Sequence, residues 1–249
     1  MDNAPAPGPD SGAPEPDADF DTVWERAAHI PGWLKTGQAR LLWDEAMRLP
    51  ADSTVVEIGS HQGRSTVVLG EAARQREGRV IAVDPFVEGR LFGGRPTREL
   101  FERNVAAHDL RDVVELVADY STTLRPGWTR PFDLLYIDGK HDYWTLSDDL
   151  RWSTHLGEGA AVVIHDCFSS IGVTLGILRH VLFSSRIAYE RRSDSQALFR
   201  IRRPTLSDRL RIVAQMPWWL RNVVIKVLLR LRLRPLARLA GHSSPYDPY

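Results

Sequence analysis

Five short apolar runs, each closing on a carboxylate, constrain this chain more than any other feature. TVVEI (54–58) carries Glu57 near its end, and RVIAV (79–83) runs into Asp84. VVELVA (113–118) runs into Asp119, FDLLYID (132–138) ends at Asp138, and AAVVIHD (160–166) ends at Asp166. Between the runs lie stretches with helical spacing: 63–74, 97–110 with Leu100, Phe101, Val105 and Leu110, and 143–156. Strands that alternate with helices imply βαβ units and a mostly parallel sheet, covered on both faces. A further helix over 171–182 and two late strands, RIAYE (186–190) and QALFRI (196–201), joined by the polar turn RRSDS, complete the pattern. The expected fold is α/β: a doubly wound, mostly parallel, seven-stranded sheet with helices on both faces. Ligands of such sheets sit at the carboxyl ends of the strands. Five acids in register on that edge are hard to explain as solvation alone.

The loop after the first run, VEIGSHQGRST, decides between ligands. A triphosphate loop needs G-x-x-x-x-G-K-[ST], whose Lys reaches the phosphates. Here three residues separate Gly59 from Gly63, and Arg64 stands in the Lys position. Glu57, two residues before the first Gly, would repel a triphosphate and suits a cationic amine. The pyrophosphate pattern G-x-G-x-x-G fails because residue 61 is His. S-adenosylmethionine fits better. Gly59 and Gly63 let backbone approach it, with Ser60 and Ser65 in the same loop. Asp84, 25 residues after Gly59, is placed like an acid that binds a ribose diol. Asp119 is placed to meet the adenine end, or else merely terminates its strand.

These pieces resemble the class I S-adenosylmethionine-dependent methyltransferases. The segments that carry the resemblance are VEIGSHQGRST, IAVDPF, LVADYS, DLLYIDGKHDYWTLSDDL and GAAVVIHD, in family order from about 54 to 166. With flanking helices it extends to roughly 36–202. It is closest to bacterial O-methyltransferases of sugars and natural products, which share the "IDG-H-Y" segment. It implies the Rossmann-like methyltransferase fold and S-adenosylmethionine as cofactor. An NAD-type oxidoreductase, or a non-catalytic scaffold that keeps the cofactor pocket, are the rival readings.

Methyl transfer to a hydroxyl requires loss of a proton, to a base or with help from a metal. The candidates are Asp138, His141, His165 and Asp166. Two carboxylates with one or two imidazoles suit a divalent ion with open positions. The resemblance implies magnesium, or another divalent cation, at acids ending strands four and five. That carries over to Asp138 and Asp166, with His165 standing where relatives often have a second acid. Without metal, His141 is the expected general base, beside Asp138. Asp142, Asp148 and Asp149 are read as helix N-terminal and solvent groups. Cys167 is read as a packed small residue. The loop 85–96 is either a cover for the site, with Arg90 and Arg95 meeting the acceptor, or a plain flexible connection.

The ends differ from the middle. Residues 1–19 are Pro, Ala, Gly and acid with no Lys or Arg, and read as disordered. The domain is expected over 20–204, with Thr36 capping a helix over 37–48. Residues 205–249 form a basic extension rich in Trp, Leu and Arg, read as a lipid-facing element, an oligomer contact or an ordinary packed extension. Arg230, Arg232 and Arg234 alternate, which fits a strand or an extended arm as well as a helix. No uninterrupted apolar run approaches the ~18–20 residues of a membrane span. Formal net charge is zero, which gives no pull towards nucleic acid, and the single cysteine suits a cytoplasmic setting. The expected partners are a small-molecule, sugar or lipid-linked acceptor, a peripheral membrane contact, and self-association into a homo-oligomer through the Trp-rich ends.

Overall fold

A computed structural model describes residues 18–89 and 93–242. The parallel strands are β1 (Thr54–Ile58), β2 (Arg79–Val83), β3 (Val114–Val117), β4 (Leu134–Ile137) and β5 (Ala161–Ile164). β6 (Ile187–Ser193) and β7 (Gln196–Ile201) form the hairpin that closes the sheet. The order is β3-β2-β1-β4-β5-β7-β6, with β7 antiparallel to both neighbours. The sheet has the expected class. An NAD-type sheet runs 3-2-1-4-5-6 without an inserted antiparallel strand.

Strands β1, β4 and β5 are apolar almost throughout because both of their faces are covered. One face carries Val55, Val80, Leu134 and Val163 against α1 (Phe20–Ala27), α2 (Thr36–Met47), α3 (Arg64–Gln75) and α4 (Gly94–Ala107). The other carries Val56, Ile81, Leu135 and Val162 against α6 (Tyr143–Asp149) and α7 (Ile171–His180). A short α5 (Ser121–Leu124) follows β3. Register places the ends of β1, β4 and β5 side by side: Ile58 pairs with Ile137, and Ile137 with Ile164. The residues that follow those three strands therefore share one edge.

Several local expectations change. Thr36 begins α2 but does not cap it. Its Oγ1 accepts the Trp24 indole N–H at 2.9 Å, while the Gln38 side chain accepts from the Lys35 amide. Helix α4 starts at Gly94, three residues earlier than the spacing suggests. Arg95 pairs with Glu99 one turn on and is not aimed at a site, and Arg90 lies outside the described residues. The 143–156 helix tightens into a 3-10 turn from Leu150 to His155. Asp142 caps α6 as expected, accepting from Trp144 and Thr145. Asp149 is no solvent group. It is buried, accepts the Ser121 hydroxyl at 2.5 Å, and burial pushes it up to about 6.

Beyond β7 the chain is helical, not an extended arm: α8 (Leu206–Val213), α9 (Met216–Arg230) and α10 (Arg234–Leu239). Thr205 and Asp208 cap α8 reciprocally. Residues 206–230 reach the length and mean hydropathy, 1.2, of a membrane-crossing helix. Even so, Ile212, Asn222 and Ile225 are buried, Ile212 within the core of the domain, and the Asn222 side-chain amide donates to the Phe168 carbonyl.

Candidate active site

The loop after β1 is built by two left-handed glycines. Gly59 has φ +88°, and a Cβ there would stand 2.3 Å from the Asp138 carbonyl oxygen, so β1 and β4 close on each other at this residue. Gly63, φ +89°, opens α3. The helix N-terminus thus faces the loop with free N–H groups. Asp84 holds the loop open. Its Oδ2 accepts the amides of Ser60 and His61, both at 3.0 Å, and its Oδ1 accepts Phe86 N–H at 2.8 Å. An ionised carboxylate has about four acceptor positions. One therefore remains for a ligand hydroxyl.

Arg64 does not serve as a phosphate ligand. Its guanidinium donates to the carbonyls of Ala28, Ile30, Gly32 and Leu34. It thereby fastens the segment between α1 and α2 over the loop and brings the Trp33 ring to 5.3 Å from His61. Trp33 is half exposed there. Sequence reading missed this aromatic because its neighbour lies 28 positions away in the chain.

Glu57 also lies elsewhere than expected. It is turned away from the loop mouth and fully buried. Ser65 Oγ donates to Oε1 and Thr66 Oγ1 to Oε2, each at 2.5 Å. Glu57 and Ser65 support the first turn of α3 from beneath; neither is open to a ligand amine. Burial pushes the Glu57 carboxyl up from 4.5 to about 7, against the hydroxyl donors that favour its charge. The folded protein thus holds a proton that the unfolded chain has lost above pH 4.5. Stability is lost as pH rises from about 4.5 to about 7, by roughly 3 kcal/mol. Glu57→Gln should flatten this decline in urea midpoints measured between pH 5 and 8. An unchanged slope would refute it.

Asp119 follows β3 and is half-buried, with Oδ1 accepting the Tyr120 amide at 2.6 Å.

Past β4 and β5 the chain assembles one cluster. Tyr136 and Asp138 are two apart on a strand and so share a face. The fully buried Tyr136 hydroxyl donates to Asp138 Oδ2 at 2.9 Å. His141 bridges two carboxylates, with Nδ1 2.8 Å from Asp166 Oδ2 and Nε2 3.3 Å from Asp138 Oδ1. His165 Nδ1 stands 3.3 Å from Asp138 Oδ1 and 3.4 Å from Asp166 Oδ1. Asp166 is buried with φ +56°, and Ser169 and Ser195 hydroxyls donate to its Oδ1. Ser195 in turn accepts from Gln38 of α2. The β6–β7 turn, read from sequence as a polar connection, thus reaches the site.

The cluster corrects one assignment. Burial opposes charge on His141, yet its hydrogen bonds to Asp138 and Asp166 push it up to about 10. That shift favours the imidazolium and weighs against His141 as a base in the metal-free site. For Asp166, burial is outweighed by the His141 hydrogen bond and by the charges of His165, His141 and Lys226, which hold its carboxyl well below the usual range. Cys167 is buried as expected, its thiol directed at the Ile164 carbonyl.

The donor set suits a divalent cation. One ligand atom from each of Asp138, His141 and His165 lies within 4.8 Å of the others. Both ring nitrogens of His165 are buried without a hydrogen-bond partner among the described residues. Asp166, expected as a ligand, is not one of these three; its Oδ2 lies 2.8 Å from His141 Nδ1 and its Oδ1 3.4 Å from His165 Nδ1.

A family model described as "Methyltransferase domain" matches residues 56–167. Solved structures with the same fold include cofactor-bound Rv0187 from MTB, 21% identical over 73% of this chain and 87% of that one, with TM-score 0.56. The O-methyltransferase from Bacillus cereus, in complex with SAH, is 17% identical over 76% and 94%, with TM-score 0.57. The O-methyltransferase TomG from Streptomyces achromogenes, involved in tomaymycin synthesis and in complex with SAM, is 18% identical over 74% and 91%, with TM-score 0.57. At such identities the likeness is one of fold. The methyltransferase-domain match, however, covers the same strands and loops that build the glycine cradle and the acid–histidine cluster, and residues 56–167 are consistent with a class I S-adenosylmethionine-dependent methyltransferase domain.

Proposed function

We propose that this protein transfers the methyl group of S-adenosylmethionine to a hydroxyl oxygen of a small molecule, such as a sugar, natural product or glycolipid. The carrying observation is the contact at Gly59. There the cofactor loop touches the backbone of Asp138, so cofactor and cluster share one edge of the sheet. Gly59, Ser60, Gly63 and the free position on Asp84 receive the cofactor, and Asp119 its adenine end. The named relatives that carry SAM or SAH and are called O-methyltransferases support this reading.

The acceptor meets Asp138 and His141, whose side chains are 24% and 39% exposed, whereas His165 and Asp166 are sealed behind them. In the transfer the methyl–sulfur bond breaks with its electron pair left on sulfur, and an oxygen–carbon bond forms. Asp138 takes the hydroxyl proton. The His141 imidazolium stabilises negative charge that develops on the acceptor oxygen. A divalent cation held by Asp138, His141 and His165 would need His141 neutral and would then supply the lowered hydroxyl pKa in place of the imidazolium.

Thermal unfolding tests the cofactor half. S-adenosylhomocysteine at about 100 times its dissociation constant should add about 2.7 kcal/mol and raise the midpoint, while ATP and NAD should not. Asp84→Ala should weaken that binding about tenfold or more, the loss of a hydrogen bond to a charged group. Turnover with paired hydroxyl and amine acceptors of one scaffold tests the other half. Transfer to the amines alone would overturn O-methylation while leaving the cofactor assignment in place.

A further inference from the structure

We propose that α8, α9 and α10 form a docking platform for an anionic lipid bilayer. Two observations lead there. On α9, Leu220, Val224, Val227 and Leu231 recur at helical spacing and are 58%, 45%, 50% and 63% exposed, while Asn222 and Ile225 on the opposite face are buried. Leu206, Leu210 and Val213 of α8 are likewise exposed, as are Leu233 just before α10 and Leu236 and Leu239 within it. Such a face, left uncovered by the described residues, marks an interaction site.

The second observation is charge. Residues 203–242 hold nine Lys or Arg against one acid, Asp208. That acid is already taken by Arg202 and Arg211 at the start of α8. Arg230, Arg232, Arg234 and Arg238 are exposed around the apolar residues. Apolar side chains ringed by arginine match the interface of an anionic leaflet. A second copy fits less well. A two-fold contact lays the same surface on itself and would bring the arginines of both copies together. The buried face of α9 and the buried Ile212 of α8 argue for lying on the membrane rather than crossing it.

The platform adjoins the site. Asn222 holds the Phe168 carbonyl, two residues after Asp166, and Lys226 acts on Asp166 by its charge. Docking would therefore set the β5 end of the site close to the lipid surface. The proposal stands apart from the identity of the methyl acceptor.

Flotation of the full chain with vesicles tests it. Binding to phosphatidylcholine containing about 30% phosphatidylglycerol should exceed binding to phosphatidylcholine alone at least tenfold, and should fall away near 1 M salt. Two variants at exposed positions should each lose about tenfold without a change in thermal midpoint. One replaces Arg230, Arg232, Arg234 and Arg238 by Gln; the other is Leu231→Glu with Leu239→Glu. Equal binding to neutral vesicles, or full retention by the arginine variant, would overturn the charge argument. Absence of vesicle binding together with concentration-dependent dimerisation in light scattering would assign the face to a second copy and overturn the proposal.

Discussion

Asp166→Asn should lower methyl transfer about 100- to 1,000-fold while leaving S-adenosylhomocysteine affinity within about threefold. The substitution preserves shape and can still accept from Ser169 and Ser195. What it removes is the anion that fixes His141 at 2.8 Å and the charge that His165 faces at 3.4 Å. His141 would then answer to Asp138 alone. Because Asp166 lies behind the cluster at the end of β5 and the cofactor cradle is built by β1 and β2, the damage should fall on turnover. Single-turnover rates and calorimetric titration of S-adenosylhomocysteine read the two separately. Equal losses in both would show that Asp166 supports the whole pocket and does not orient the histidines in particular.

Gly59→Ala should cost roughly 3 kcal/mol or more of stability and abolish cofactor binding. Two costs combine: a left-handed backbone conformation unfavourable for an L-residue, and overpacking against fixed atoms. The obstructing atoms are the Asp138 carbonyl and the Gly139 amide, which are backbone and have no rotamer to yield. Gly127→Ala is the control, since nothing lies within 4 Å of a Cβ built there. Its urea midpoint should match that of the parent. A Gly59→Ala protein as stable as this control would mean that the β1–β4 approach is looser than the structure has it.

Much of the architecture can be read locally. Buried parallel strands announce themselves as apolar runs, and their carboxyl ends as the acids that follow, so Asp84, Asp138 and Asp166 are identified as edge residues before any fold is drawn. Glycine at 59 and 63 is legible for the same reason: a requirement on one residue's own backbone is written in that residue. The roles are less legible. Arg64 looks like a failed phosphate lysine until the four carbonyls it binds are brought to it from α1 and the segment beyond. Ser195 looks like turn solvation until the hairpin folds back on Asp166.

By its own pattern, then, the sequence determined the strand set and the edge on which the acids gather, because hydrophobic period and backbone conformation are local properties. Only the tertiary structure decided which way each acid faces. Glu57 is turned to α3, Asp149 to Ser121, and Asp166 to the histidines, because direction depends on partners distant in the chain. The charge state of His141 belongs to the same class. An imidazole alone titrates near neutrality, and two carboxylates from different strands, brought within hydrogen-bonding distance by folding, keep its proton on.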